Sequence, residues 1–385
     1  MAGWALTLGY SCVVALNASA VTLVFRVTFP ELVMQGALYD AAGWTIYLPE
    51  VAICSLFIIG FAWLNSKGAA LSGQFQFFAV VIMIVAVVVF VASMVIYYVA
   101  KRPELAPVFP VDVPPAAAVA TIIAFAAWAY VGFDSIPQLA GEFNFSPKKA
   151  IGLLMWGIIA ATLIYLAMML ATSIAVGTHH DAYEGEVWPP AAVISEVMGP
   201  AGLVLMVVAV SAGVLTVLTG FFTAASRVLF TFSRANLVSS RLGELNGKQR
   251  TPRNAILLVC AVCLVTPWFG RAALTWVVDM SSAGITVAYF YTCFCAWKIA
   301  RTGQVPGMSK PIAPNKFYEY FALAGCILSV GFLALLFVPG SPGMLGTAPL
   351  IALVVWIVLG LASWAIKGRQ LKDVPPEGTA AMILE

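Results

Sequence analysis

The chain has 385 residues, of which 62% are hydrophobic and only 10% are charged, and its formal net charge is +3. Soluble globular proteins carry about 25% charged residues, so this composition excludes a soluble globule and indicates an integral membrane protein. The small net charge is spread over loops and gives no support to nucleic-acid binding. The seven cysteines show no metal-ligand spacing, and we therefore expect no metal site and no cofactor.

Apolar runs long enough to cross a bilayer recur from one end of the chain to the other. They predict an all-α integral membrane protein with about ten transmembrane helices in a single polytopic domain, residues 1–372. At residues 373–385 we expect a disordered cytoplasmic tail. The ten candidate spans are 4–29, 43–64, 77–100, 115–139, 151–176, 201–232, 255–269, 274–299, 318–338 and 349–366.

The lysines and arginines predict the orientation, because cytoplasmic loops are enriched in them. With the N-terminus inside, the inner loops and the inner tail hold fifteen of these residues. The outer loops hold three, which are Lys101, Arg102 and Arg271. This contrast predicts that both termini lie in the cytoplasm, and we expect the host bilayer to be the cell membrane.

The fourth candidate span differs from a plain membrane helix, because Gly132, Asp134 and Pro137 occur within six residues. Pro137 removes an amide and clashes with the preceding turn, while Gly132 allows the backbone to leave helical geometry. Asp134 can cap the inner half-helix by accepting from its free amides. The segment predicts a helix broken within the membrane; a kinked structural helix with Asp134 as a simple cap is the alternative.

Arg26 and Glu50 lie one or two turns below the predicted outer surface on consecutive spans. An unpaired arginine at mid-membrane costs about 2.5–3.5 kcal/mol, and less near the surface. Our hypothesis is that the two residues form a structural ion pair; snorkelling of the arginine to the nearby surface is the alternative, so pairing is not required.

Three sequence blocks resemble the amino acid, polyamine and organocation permease superfamily. Residues 130–134 read Tyr-Val-Gly-Phe-Asp, and the Ala-Gly-Glu at 140–142 and Pro-Lys-Lys at 147–149 follow, as in the family's sixth span. Residues 224–236 are similar to the family's eighth span and the loop after it, and residues 251–255 resemble the entry to the ninth. The chain departs from the pattern at Gly141, which replaces an acid, at one extra residue before Pro147, and at Ala235-Asn236, where Asp-Gly is usual.

The resemblance implies the five-plus-five inverted-repeat fold, which is leucine-transporter-like and places two broken helices around a substrate. Family members have twelve spans, and this chain begins at what looks like the third, so the first repeat is expected to be incomplete. We expect an N-terminally truncated form of a longer permease; a real short form is the alternative. The resemblance covers nearly all of the chain.

The function implied is secondary active transport of amino acids or related amines, with the lipid bilayer as the other partner. A non-transporting membrane scaffold or partner subunit is the alternative, and the oligomeric state stays open. No catalytic signature occurs in the sequence, so we do not expect an enzyme.

The candidate substrate-binding residues surround the predicted break. If the helix opens between Tyr130 and Asp134, backbone carbonyls there can accept from a substrate ammonium while aromatic rings flank its side chain. For these aromatic rings, packing between helices is the alternative. The candidates are Trp128, Tyr130, Val131, Gly132, Phe133 and Asp134.

The coupling ion, sodium or proton, is not determined. Ser211, Thr216 and Thr219 are possible ion-binding residues, because hydroxyls of this span help to hold the ion in sodium-coupled members of the family. In most membrane helices such hydroxyls bond their own backbone, which is the alternative. Met83 stands where some proton-coupled members carry a lysine, so a lysine-based proton switch is not expected.

Overall fold

A computed structural model describes residues 2–41, 43–105, 107, 109, 113–142, 145–177, 183, 186, 188–245, 251–305, 311–341 and 343–367. The predicted tail at 373–385 lies outside these residues. The α-helices are α1 (Ala2–Thr28), α2 (Pro30–Val33), α3 (Leu48–Ser66), α4 (Ala69–Lys101), α5 (Pro115–Ala129), α6 (Pro147–Val176), α7 (Pro189–Met198), α8 (Pro200–Arg234), α9 (Arg253–Cys263), α10 (Gly270–Thr302), α11 (Lys316–Phe337) and α12 (Thr347–Lys367). The strands are β1 (Ala37–Ala41) and β2 (Trp44–Tyr47), and 3-10 helices occur at Phe133–Glu142, Ser240–Gly243 and Thr266–Phe269.

Eight helices of the described chain are long and apolar enough to cross a membrane: α1, α3, α4, α6, α8, α10, α11 and α12. This architecture confirms the predicted all-α membrane protein. The other two candidate spans are interrupted. The fourth is α-helical only to Ala129, and the seventh is α9 followed by the 3-10 helix that contains Pro267. In both, a proline lies in the 3-10 segment, where it cannot supply the amide that an α-helix requires.

The second candidate span begins later than predicted, because residues 44–47 are a strand. β2 pairs antiparallel with β1, with Ala41 opposite Trp44 and Asp40 opposite Thr45. The β-branched and aromatic residues of β2 favour extended backbone. The following helix α3 starts at Leu48, with Pro49 in its first turn, where proline is tolerated.

The helix α1 lies at the centre of the packed core. Its Tyr10, Val14 and Ala18 are completely buried, and they belong to one cluster with Phe222 of α8 and Ile285 of α10. Residues of α3, α9, α11 and α12 also belong to that cluster. Because α1 is enclosed by protein on several sides, its buried polar side chains need hydrogen-bond partners, which Thr7 finds in its own helix and Tyr10 finds outside it.

Glycines bring α1 and α10 into close contact. A Cβ atom added at Gly284 would lie 2.6 Å from the carbonyl oxygen of Ala5, and one added at Gly9 would lie 2.5 Å from Cγ1 of Ile285. The hydroxyl of Ser281 donates to the carbonyl of Gly9 across the same crossing, at 3.1 Å. The close crossing therefore fixes the distance between Tyr10 of α1 and the helix α10.

The Arg26–Glu50 ion pair is present and almost completely buried, with each residue 7% exposed. Nε of Arg26 donates to one carboxylate oxygen of Glu50, and Nη2 donates to the other at 2.7 Å. The same Nη2 donates to the carbonyl of Thr45 in β2 at 2.8 Å, and the guanidinium carbon lies 3.9 Å from the ring centre of Trp44. The pair thus ties α1, α3 and the hairpin together.

Substitution Gly284→Ala should lower the melting temperature, because the added methyl group meets backbone atoms of α1 that cannot rotate away. Overpacking of this kind costs about 1–3 kcal/mol. The matched control is Gly331→Ala in α11, where an added Cβ meets nothing within 4 Å. A thermal melt of purified protein measures both, and equal melting temperatures for the two variants would contradict the close-packed crossing.

Substitution Arg26→Ala should reduce the yield of folded protein, because it leaves the Glu50 carboxylate buried without its cation. Breaking a buried pair in this way costs about 3–5 kcal/mol. The double variant Arg26→Ala/Glu50→Gln should recover much of the loss, since no buried charge remains. Size-exclusion chromatography of detergent extracts measures the folded fraction. If the single and double variants gave the same yield, the ion pair would have no structural role.

Candidate functional site

The break predicted in the fourth candidate span is present at Tyr130–Gly132. α5 ends at Ala129, and Gly132 has φ of +132°, a value that side-chain-bearing residues rarely adopt. Beyond the break, the amide and the hydroxyl of Ser135 both donate to the carbonyl of Gly132, at 3.1 and 2.6 Å. The backbone therefore changes direction at Gly132 and continues as the 3-10 helix Phe133–Glu142.

The carboxylate of Asp134 collects hydrogen bonds from three parts of the fold. Oδ1 accepts from the amide of Gly132 at 2.9 Å, and Oδ2 accepts from the hydroxyl of Tyr10 at 2.8 Å. The hydroxyl of Tyr289 in α10 lies at 3.5 Å from Oδ1, and that of Tyr10 is also 3.0 Å from the Asp134 carbonyl. We expected Asp134 to accept from the free amides of the half-helix that follows it. In the structure Oδ1 accepts instead from the amide of Gly132, two residues earlier in the chain.

Aromatic side chains surround this carboxylate. The rings of Phe133 and Tyr289 have centres 5.5 Å apart, and those of Tyr10 and Phe221 pack edge to face at 5.3 Å. Phe221 of α8 also faces the break, because a Cβ added at Gly132 would lie 3.6 Å from its Cζ. Val131 packs against the main core cluster. The break is therefore bordered by α1, α8 and α10.

Tyr130 and Trp128 occupy different places from the carboxylate cluster. The hydroxyl of Tyr130 is hydrogen-bonded to Thr162 of α6 at 2.9 Å, and its ring packs edge to face on Tyr165. Tyr165 in turn donates to the carbonyl of Ala129 at 2.6 Å. Trp128 is half-buried in the last turn of α5. The described contacts of the Tyr130 side chain therefore anchor the break to α6.

The sequence did not single out Tyr10, Phe221 or Tyr289, which the fold brings to the break. Tyr10 is completely buried in α1, and a buried phenol needs a hydrogen-bond partner. That requirement was the available signal. It does not identify Asp134 as the partner, because 124 residues separate the two in the chain.

The predicted ion-binding hydroxyls lie on α8. Thr216 donates to the carbonyl of Gly213 at 2.6 Å, and Thr219 donates to that of Leu215 at 2.9 Å. Both threonines are buried, whereas Ser211 is half-buried about one turn earlier. The hydroxyls of both threonines therefore donate to backbone carbonyls of their own helix, as in the alternative to ion binding. Their oxygen lone pairs can still accept. The ion role stays a prediction.

Comparison with known proteins relates residues 1–361 to the amino acid permease family. The branched-chain amino acid permease BcaP of Lactococcus lactis subsp. cremoris is 29% identical over 247 residues, which are 63% of this chain and 49% of that protein. The uncharacterized amino acid permease YecA of Bacillus subtilis is 25% identical over 278 residues, 70% of this chain and 63% of that protein. The chain spans about half the length of the first relative and less than two thirds of the second.

The family match covers almost the entire described chain, which contains eight helices long and apolar enough to cross a membrane. The chain belongs to the amino acid permease family.

Proposed function

We propose that the chain acts in secondary active transport of amino acids or related amines, and that the substrate binds at the break around Gly132. The observation that carries the proposal is the interrupted backbone at Tyr130–Gly132, enclosed by α1, α8 and α10. Interrupted membrane helices offer unpaired backbone groups to a polar solute inside a bilayer. Family membership supports an amino acid substrate, and the name of the Lactococcus relative supports a branched-chain one.

The substrate ammonium is assigned to backbone carbonyls at the break. The carbonyls of Gly132 and Asp134 already accept hydrogen bonds from Ser135 and Tyr10. Those of Tyr130 and Val131 have no hydrogen bond among the described residues, so they are the acceptors that we assign to the ammonium. An ammonium has three donors and no acceptor, which suits a pair of carbonyls.

The substrate side chain is assigned to the aromatic side of the break. Phe133, Phe221 and Tyr289 present rings close to Gly132 and Asp134. Rings of this kind bury apolar substrate surface and exclude water from the polar contacts. No catalytic group is required for such binding, because transport changes no covalent bond.

Alternating access would then expose this site to each side of the cell membrane in turn, with both termini in the cytoplasm. The energy source is a sodium or proton gradient. For sodium, the oxygens of Ser211, Thr216 and Thr219 remain the candidate ligands. For protons, we do not expect a lysine switch at the Met83 position.

Uptake of radiolabelled amino acids and amines into proteoliposomes tests the proposal. We expect uptake by the purified chain and a large loss in Gly132→Leu, because leucine cannot adopt the φ of Gly132 without strain and its side chain meets Phe221. The control is Gly157→Leu on the exposed face of α6, where an added Cβ meets nothing within 4 Å.

Two results would contradict the proposal. Equal uptake by Gly132→Leu and Gly157→Leu would place the substrate elsewhere. If the folded and reconstituted chain showed no uptake, transport by this chain alone would be ruled out, and a scaffold or partner subunit would be favoured.

A further inference from the structure

The hydroxyl of Tyr10 has two acceptors on one residue. It lies 2.8 Å from Oδ2 of Asp134 and 3.0 Å from the backbone carbonyl oxygen of Asp134. A phenol has one proton to donate, and its oxygen can also accept. The Tyr10 hydroxyl therefore has a second acceptor in place whenever Oδ2 does not need its proton.

Both protonation states of Asp134 fit this geometry without movement of a heavy atom. When the carboxyl group is ionised, Tyr10 donates to Oδ2 and the amide of Gly132 donates to Oδ1 at 2.9 Å. When Oδ2 carries a proton, it donates to the Tyr10 oxygen, and the Tyr10 hydroxyl donates to the Asp134 carbonyl. Oδ1 accepts from the Gly132 amide in both states. None of these groups is left unpaired when the proton binds.

The buried carboxylate of Glu50 has partners of the opposite kind. Its two oxygens accept from Nε and Nη2 of Arg26, and a guanidinium has five donors and no acceptor. A proton on Glu50 would find no acceptor there and would break a buried ion pair, which is costly. The surroundings of Glu50 thus hold one charge state, whereas the phenol at Asp134 serves two.

The titratable side chains that face Asp134 come from two helices. Tyr10 approaches from α1, and the hydroxyl of Tyr289 approaches from α10 to 3.5 Å from Oδ1. From α8, the break is faced by the ring of Phe221. The described side chains around a proton on Asp134 are therefore phenols and an apolar ring.

The phenols on the α6 side of the break are engaged elsewhere. Tyr130 is hydrogen-bonded to Thr162, and Tyr165 donates to the carbonyl of Ala129. Glu142 ends the same 3-10 helix, and its side chain is outside the described part of the chain. On α1, α6, α8 and α10, the charged residues nearest to the break along each helix are six or more residues, at least about 9 Å, from the residue that meets it: Arg26, Lys149, Arg227, Asp279 and Lys298.

We propose that Asp134 is a proton-binding site, and that its proton couples transport to a proton gradient. In binding, a proton from water forms an O–H bond at Oδ2. In release the same bond breaks, and the proton returns to water on the other side of the membrane. The coupling role rests on the proposed function, whereas proton binding rests on the hydrogen bonds of Asp134. Tyr10 acts through Asp134 and is a positioning residue.

The proton changes the cost of moving the broken helix. An ionised carboxylate is expensive inside a bilayer, whereas a protonated one is neutral. A conformational change that alters the surroundings of Asp134 therefore has a different free energy in the two protonation states. Such a difference is what a ligand needs in order to shift a conformational equilibrium.

Infrared difference spectroscopy of the purified chain measures proton binding without requiring transport. A protonated carboxyl group has a C=O stretching band that an ionised one lacks. On acidification the wild type should gain a band that is missing in Asp134→Asn. In Tyr10→Phe this band should shift to higher frequency, because the acid proton has lost its acceptor while the aromatic ring is kept.

The matched control is the double variant Arg26→Ala/Glu50→Gln. It removes a buried carboxyl group that stays ionised, so it should keep every band that the wild type gains. Identical spectra for wild type and Asp134→Asn, at every pH where both are folded, would overturn the proposal. Should Asp134→Asn fail to fold, Tyr10→Phe decides, and spectra identical to the wild type would overturn it.

Uptake of L-leucine into proteoliposomes tests the coupling. With sodium absent and the membrane potential held at zero, a gradient of one pH unit should change the accumulation of leucine about tenfold if one proton moves per substrate. Gradients of both directions are imposed, because proton and substrate can move together or in exchange. We expect the response in the wild type and its loss in Asp134→Asn or with a protonophore.

The two proposals fail in different ways. Leucine accumulation that follows sodium and ignores both pH gradients would leave transport standing and remove proton coupling. The Asp134 band without leucine uptake would remove leucine transport by this chain and leave proton binding standing. A folded chain with neither the band nor uptake would remove both.

Discussion

The hydrogen bonds between Asp134, the amide of Gly132 and the hydroxyl of Tyr10 are the contacts on which the candidate site depends. A free backbone amide in the interior of a membrane protein is costly, and the break creates one at Gly132. Asp134 satisfies it from two residues away. Tyr10 then satisfies the second carboxylate oxygen, so that an ionisable group is accommodated among apolar helices.

This arrangement requires α1 to lie where it does. Tyr10 is completely buried in the helix that occupies the centre of the core, and the depth of α1 against α10 is set by Gly9 and Gly284. The same two helices bring the hydroxyls of Tyr10 and Tyr289 to different carboxylate oxygens of Asp134. A change in the crossing of α1 and α10 would therefore alter the polar contacts that hold the break.

The Arg26–Glu50 pair serves a comparable purpose near one end of α1. There the charges belong to consecutive membrane-spanning helices, α1 and α3, and the hairpin between them supplies a further acceptor and an aromatic face. At this end of α1, buried charge is thus stabilised by residues of consecutive spans. At the break it is stabilised by contacts between distant segments of the chain. The two clusters share α1, which links the hairpin to the site.

The sequence by itself determined the all-α membrane class, eight of the membrane-spanning segments and the break in the fourth span, and it made Glu50 the candidate partner of Arg26. These conclusions follow from local properties: apolar length, the backbone preferences of glycine and proline, and the cost of an unpaired charge. The family resemblance added the expectation of a substrate at the break. Each of these signals comes from a few neighbouring residues or from one pair of consecutive spans.

The tertiary structure alone decided what Asp134 does, which side of the break Tyr130 faces, and that residues 44–47 pair as a strand. Asp134 meets Tyr10 and Tyr289 across 124 and 155 residues of chain, and Tyr130 meets Thr162 on a helix beyond the break. A carboxylate next to a glycine has the same local sequence whether it caps the following helix, binds a substrate or accepts from a distant tyrosine. The choice depends on which donors the folded helices bring within hydrogen-bonding distance, and that is a property of packing.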